Sequence, residues 1–93
     1  MMLIFNELTP TPHTSKEELV EIMAKFAEVG TGPGTVLGHY VKADGSGVIN
    51  IMEVDDMEGV YRTTLEYLPY MTIESTPIVD IENAVTQIMD YLS

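Results

Sequence analysis

The chain has 93 residues, 45% of them hydrophobic, no cysteine, and 15 acidic against 4 basic side chains for a formal net charge of −11. That length sets a single domain over residues 1–93. The absence of cysteine excludes disulfides and thiolate-held metals, and the apolar content excludes a disordered acidic tail.

The acidic surface repels phosphate backbones and anionic membranes, so nucleic acid and membrane are not expected partners. Met1-Met2-Leu3-Ile4-Phe5 carries no basic residue and is too short an apolar run for a signal peptide. No apolar run reaches the roughly 18 residues of a membrane span. Together these point to a cytoplasmic protein. A domain of this size buries only about 60–65% of the surface its unfolded chain exposes, so assembly into an oligomer is the expected supplement to its core.

In chain order, Met2 to Leu8 is a largely apolar strand of the kind found at the centre of a sheet. Thr9-Pro10-Thr11-Pro12 is expected to end it, since neither proline can donate a ladder hydrogen bond. The first helix is capped by Thr14 or Ser15, each with a glutamate three residues on. It carries one apolar stripe, Leu19, Ile22, Met23 and Phe26, and ends near Gly30. Thr31-Gly32-Pro33-Gly34 is a turn; the lysine and Ser/Thr of a phosphate-binding loop are missing. Val36 to Lys42 and Val48 to Val54 form a hairpin around Asp44-Gly45. Asp55 or Asp56 caps a second helix with the stripe Met57, Val60, Tyr61, Thr64, Leu65 and Leu68, ended by Pro69. Met71 to Ile78 is the last strand, at an edge because of Pro77. Asp80 then caps a third helix whose stripe is Ile81, Ala84, Val85, Ile88, Met89 and Leu92, a regularity that requires a docking surface.

The order strand–helix–strand–strand–helix–strand–helix predicts an α+β, ferredoxin-like βαββαβ fold with an added C-terminal helix. Right-handed crossovers place the strands of its four-stranded antiparallel sheet in the order 4-1-3-2, with both internal helices on one face. In the last strand Met71 and Ile73 should meet the helices, leaving Glu74 on the open face. A two-residue hairpin loop pairs Val41 with Val48, His39 with Asn50, Tyr40 with Ile49 and Gly38 with Ile51. Tyr40, Ile49 and Ile51 are then the helix-facing set, with Glu53 on their side. His39 and Asn50 fall on the open face among Leu37, Val41, Val48 and Met52. A three-residue loop would instead set Tyr40 opposite Asn50. A face mixing Leu, Val and Met with His, Asn and Glu reads as a chamber wall, enclosed when two such sheets pack in a homodimer.

The stretch Gly38-His39-Tyr40-Val41-Lys42-Ala43-Asp44-Gly45 and the later Ile51-Met52-Glu53-Val54-Asp55-Asp56 are similar to a family of small bacterial proteins of unknown function. The chain resembles the dimeric α+β barrel superfamily, in which two ferredoxin-like protomers pack sheet to sheet, and Glu7 matches an acidic residue after the family's first strand. The chain departs from that pattern in the proline-rich Thr9 to His13 and in its long third helix. The resemblance implies a homodimer through the open sheet face. The superfamily spans cyclases, cofactor-free monooxygenases, isomerases, haem-degrading enzymes and sensory modules, so it implies no single reaction.

His39 is the candidate acid–base group, because imidazole titrates near neutrality and can serve an enolisable carbonyl in a water-poor chamber. Asn50, Tyr40, Met52 and Leu37 are the candidate ligand-binding residues, and Glu74 and Glu7 the secondary carboxylates. Glu53 is expected at the end of the sheet, bonded near Asp55-Asp56, and Arg62 beside Glu58 or Glu66. His13 reads as a loop surface residue. Neither a metal nor a cofactor is expected, because two histidines separated by a helix and a loop have no ligand spacing. The expected role is to bind, or convert without a cofactor, a small carbonyl-bearing or aromatic molecule. The contrasting reading is a protein without chemistry whose acidic surface engages a basic, nucleic-acid-binding partner as a decoy or inhibitor.

Overall fold

A computed structural model describes residues 1–12 and 14–93, so that His13 lies outside the described residues. Its elements run β1 (Met2–Pro10), α1 (Lys16–Val29), β2 (Thr35–Val41), β3 (Val48–Val54), α2 (Met57–Tyr67), β4 (Met71–Ile78) and α3 (Ile81–Leu92). The strands form one four-stranded sheet in the order β2-β3-β1-β4, with every neighbouring pair antiparallel. This is the predicted ferredoxin-like α+β order.

Each helix begins where a side chain can take over an orphan N–H. Ser15 caps α1 by accepting from the Glu18 N–H at 3.1 Å. Asp56 caps α2 through the Gly59 N–H, and Asp80 caps α3 through the Glu82 N–H, each at 2.9 Å. Gly30 closes α1 with φ of 67°, and its N–H reaches the Phe26 carbonyl at 2.8 Å. One tie between α1 and α2 is polar: Lys25 Nζ meets Glu66 Oε2 at 3.2 Å. Glu66 is therefore engaged by α1, not by Arg62. That contact is the main reason the Lys25 ammonium sits above its usual pKa, with Glu28 adding to it.

β1 continues past Leu8 to Pro10, where the proline-rich segment was expected to have ended it. The β1–β3 ladder stops at Leu8↔Val48 while β1–β4 runs on to Pro10↔Met71, so the proline sits where only one neighbour pairs. The β2–β3 register agrees with the sequence at Val41↔Val48, Tyr40↔Ile49, His39↔Asn50 and Gly38↔Ile51. The turn itself differs. The Lys42 N–H bonds the Gly47 carbonyl at 2.8 Å and the Gly45 N–H bonds the Lys42 carbonyl at 2.9 Å, so the loop spans 43–46. Gly45, at φ of 78°, supplies its left-handed residue. A longer loop with the same parity preserves the pairing. Near the other end of β2 a bulge between Val36 and Gly38 leaves Leu37 as the extra residue.

For β2 and β3 the two faces of the sheet are the reverse of the sequence expectation. Ile4, Asn6 and Leu8 of β1, with Asn50, Met52 and Val54 of β3, line the space beneath α1 and α2. His39 shares their face and lies against Phe26 of α1, ring centroids 5.9 Å apart. Alternation then puts Leu3, Phe5 and Glu7 on the other side with their partners Glu53, Ile51 and Ile49. Tyr40 and Glu53, expected toward the helices, belong to this open face. Ile73 lines the helix side and Glu74 the open side, as expected. The core is small: Ile4, Met52 and Val54, joined by Met2 and Val60.

Helix α3 buries no residue, and its Ile81, Ile88 and Leu92 are exposed. It contributes to a molecular extent of 57 × 27 × 17 Å.

Candidate functional site

The helix-facing side of the sheet carries a row of polar side chains across all four strands. His39 of β2 is paired with Asn50 of β3, Asn50 with Asn6 of β1, and Asn6 with Ser75 of β4. Three of them are linked. The Ser75 hydroxyl donates to Asn6 Oδ1 at 2.6 Å, and Asn6 Nδ2 donates to Asn50 Oδ1 at 2.7 Å. Asn6 and Asn50 are only 7% and 5% exposed. Buried amides are tolerated when their hydrogen bonds are made, and no fully buried side-chain polar atom among the described residues lacks a partner. The bonding gives the chain a direction. Each carbonyl accepts from the β4 side, so the free end is the Asn50 amide N–H2, beside His39.

Above this row lies a cavity of about 60 Å³. At roughly 10–15 Å³ per water centre it holds a handful of water molecules or a small organic group. Ile4 and Met52 flank the polar row on one side and Leu8 and Ile73 on the other, while Phe26, Val60, Thr63, Thr64 and Tyr67 close it from the helices. Thr63 and Thr64 donate their hydroxyl protons to Gly59 and Val60 carbonyls of their own helix, at 3.1 and 2.9 Å. Their oxygens keep lone pairs free to accept. The Tyr67 hydroxyl donates to the Gly30 carbonyl at 2.6 Å, joining the end of α2 to the cap of α1. Burial holds the Tyr67 phenol above its usual pKa. Gly32, at φ of 80°, lies so close to the Thr63 side chain that a Cβ there would overlap it. This brings the α1–β2 loop against α2.

Among the described residues the lining holds no carboxylate, lysine or arginine, and His39 is its one titratable group apart from Tyr67. No group of three or more His, Asp or Glu side chains among them is placed to hold a metal ion. The arrangement suits an uncharged molecule with one hydrogen-bonding end and one apolar end.

Of the residues singled out in the sequence, the cavity brings together His39, Asn50 and Met52. It leaves out the others. Tyr40 lies on the opposite face, its ring over Gly38, and Leu37 is the half-exposed bulge residue. Glu7 and Glu74 face each other across β1–β4 on the open side, where Lys42 Nζ reaches Glu7 Oε1 at 3.4 Å. Sequence reasoning passed over Asn6, Ser75, Thr63 and Tyr67, and read Thr64 only as part of the packing stripe of α2. A signal for the first existed: an asparagine between Ile4 and Leu8 in a strand otherwise apolar on that face.

Strand order, layer arrangement and cavity together define a small ferredoxin-like α+β domain with a neutral polar pocket. The chain belongs to the family described as a domain of unknown function (DUF3303), which matches residues 2–91. No curated protein matches it. No helix among the described residues is long and apolar enough to cross a membrane.

Proposed function

We propose that this chain binds a small uncharged carbonyl compound, with an apolar or aromatic body, in the cavity between sheet and helices, and moves a proton on it without a cofactor. The observation that carries this reading is the directed polar chain Ser75–Asn6–Asn50, whose free amide N–H2 ends beside His39. A carbonyl oxygen accepting from Asn50 makes its compound more acidic at the α-carbon, because the N–H dipoles stabilise the enolate oxygen. The His39 imidazole takes the α-proton as the enolate forms and returns it to carbon, so no electron acceptor is needed. The apolar flanks Met52, Ile4 and Phe26 receive the body of the molecule.

The test is hydrogen–deuterium exchange at the α-carbon of acetylacetone and acetophenone in heavy water, followed by proton NMR. The wild-type chain is expected to accelerate exchange above buffer. His39→Gln should remove that acceleration, and either probe should shift the Asn50 side-chain amide resonances. Absence of both acceleration and amide shifts with either probe overturns the reading; shifts without acceleration reduce it to binding.

A further inference from the structure

The sheet is not the only polar wall of the cavity. Helix α2 follows β3 after Asp55 and Asp56 alone and doubles back over it. Val60 packs on the core cluster of Ile4, Met52 and Val54. One turn further along the helix, about 6 Å on, comes Thr64. Two residues back along β3 from Met52, about 7 Å, comes Asn50. Thr64 is thereby carried to the level of the polar row, and both side chains line the same cavity. Tyr67 comes nearly one turn later, buried and bonded to the Gly30 carbonyl, so this stretch of α2 is held at both ends.

Val60, Thr64 and Tyr67 are spaced four and three apart, the line of a helix that ordinarily carries apolar core residues. Thr64 puts an oxygen in the middle of that line. Its one hydroxyl proton is already committed to the Val60 carbonyl at 2.9 Å. A hydroxyl has a single proton and two lone pairs, so toward the cavity Thr64 can only accept. Thr63 is aimed elsewhere, its Oγ1 lying against Gly32 of the α1–β2 loop. The cavity therefore offers a donor on the sheet wall, the Asn50 N–H2, and an acceptor on the helix wall, with no carboxylate, lysine or arginine lining it among the described residues.

We infer that the ligand carries a second polar group, a hydroxyl that donates to Thr64 Oγ1 while its carbonyl accepts from Asn50, so that the substrate class is a hydroxylated ketone. This rests on the carbonyl reading of the cavity and narrows it. A carboxylate or ammonium group in place of the hydroxyl would bring in a charge that the lining does not balance. An ether oxygen would set one lone pair against another. Thr64 already makes a hydrogen bond, so leaving its lone pair idle costs little. The preference is then that of one neutral hydrogen bond, about fivefold in affinity.

The experiment titrates the chain with acetophenone, its 3′- and 4′-hydroxy derivatives and 4′-methoxyacetophenone, reading Kd from the Asn50 side-chain amide resonances. At least one hydroxy ketone is expected to bind about fivefold more tightly than acetophenone, and the methoxy ketone no more tightly. Thr64→Val keeps the shape of the side chain and removes its oxygen. There the hydroxy ketones should lose their advantage, since an unpaired hydroxyl is costly to take out of water. Thr64→Ser should restore it, and circular dichroism checks that both variants fold. Hydroxy ketones that bind no better than acetophenone to the wild type overturn the inference, and so does an advantage that survives in folded Thr64→Val. In either case acetophenone still shifting the Asn50 amide leaves the carbonyl site standing. If none of the four ketones shifts it, both readings fall. Should Thr64→Val not fold, the wild type decides alone, and equal affinity for the hydroxy and methoxy ketones overturns the inference.

Discussion

The two faces of this sheet are made from the same four strands and solve opposite problems. The helix face buries two asparagines and half-buries a serine in its middle and gives up little, because Ser75, Asn6 and Asn50 satisfy one another at 2.6 and 2.7 Å. The open face shows phenylalanine, leucine and isoleucine beside Glu7, Glu53 and Glu74, with Lys42 reaching only Glu7. Polarity alone does not decide which side of a sheet goes in. What decides is whether the polar groups of one side can pair, since an unpaired buried amide costs about 1–3 kcal/mol and a paired one far less.

The sharpest way to break this contrast is a pair of neighbours in β1. Ile4 is fully buried toward the helices, while Phe5 points to the open face. Ile4→Ala should lower the unfolding free energy by about 3 kcal/mol. Phe5→Ala should cost about 1 kcal/mol or less, both read by urea denaturation. Equal losses would mean that both faces are core.

The polar row gives the next effect. Asn50→Ala strands the Asn6 amide and should cost about 2 kcal/mol. The double change Asn6→Leu/Asn50→Leu removes both amides together and should recover more than half of that loss, leaving only Ser75 to find water. If the double variant is as unstable as the sum of the singles, the row is not a coupled network.

The smallest effect concerns Tyr67. Tyr67→Phe deletes the bond to the Gly30 carbonyl and should cost about 1 kcal/mol at neutral pH. Burial raises the phenol's pKa in the folded chain above its unfolded value near 10. The unfolded chain therefore loses this proton first. The associated stability is intact below about pH 10 and is lost as pH rises through the folded value. Denaturation midpoints measured from pH 8 to 11 should fall at the alkaline end, and less steeply in Tyr67→Phe. An identical slope in the two chains would sink this assignment.

Much of the fold is legible residue by residue. Ser15, Asp56 and Asp80 announce the helix starts because a side-chain oxygen three or two residues before an orphan N–H is a local, short-range fact. The hairpin register is also local, set by the number of residues between Val41 and Val48, even though the loop is longer than a two-residue turn. The strand order follows from chain connectivity and the handedness of crossovers. Of the site, His39, Asn50 and Met52 were visible as a mixed polar and apolar set on one face. Tyr40, Leu37, Glu7 and Glu74 were visible as residue types, but they do not join it.

What the sequence by itself determined is therefore what is carried by spacing: the elements, their caps, their order, the pairing of β2 with β3, and which residues of β3 and of β4 alternate between the faces. What only the tertiary structure decided is which face turns inward. Period-2 alternation is symmetric between the two sides of a strand, and judging Ile49 and Ile51 against Asn50 and Met52 by polarity points the wrong way. The partners that make Asn50 a buried residue are Asn6, 44 positions away, and through it Ser75, 69 positions from Asn6. Such partners exist only once distant strands have paired, and their mutual hydrogen bonds remove the penalty that would otherwise have kept this face in water.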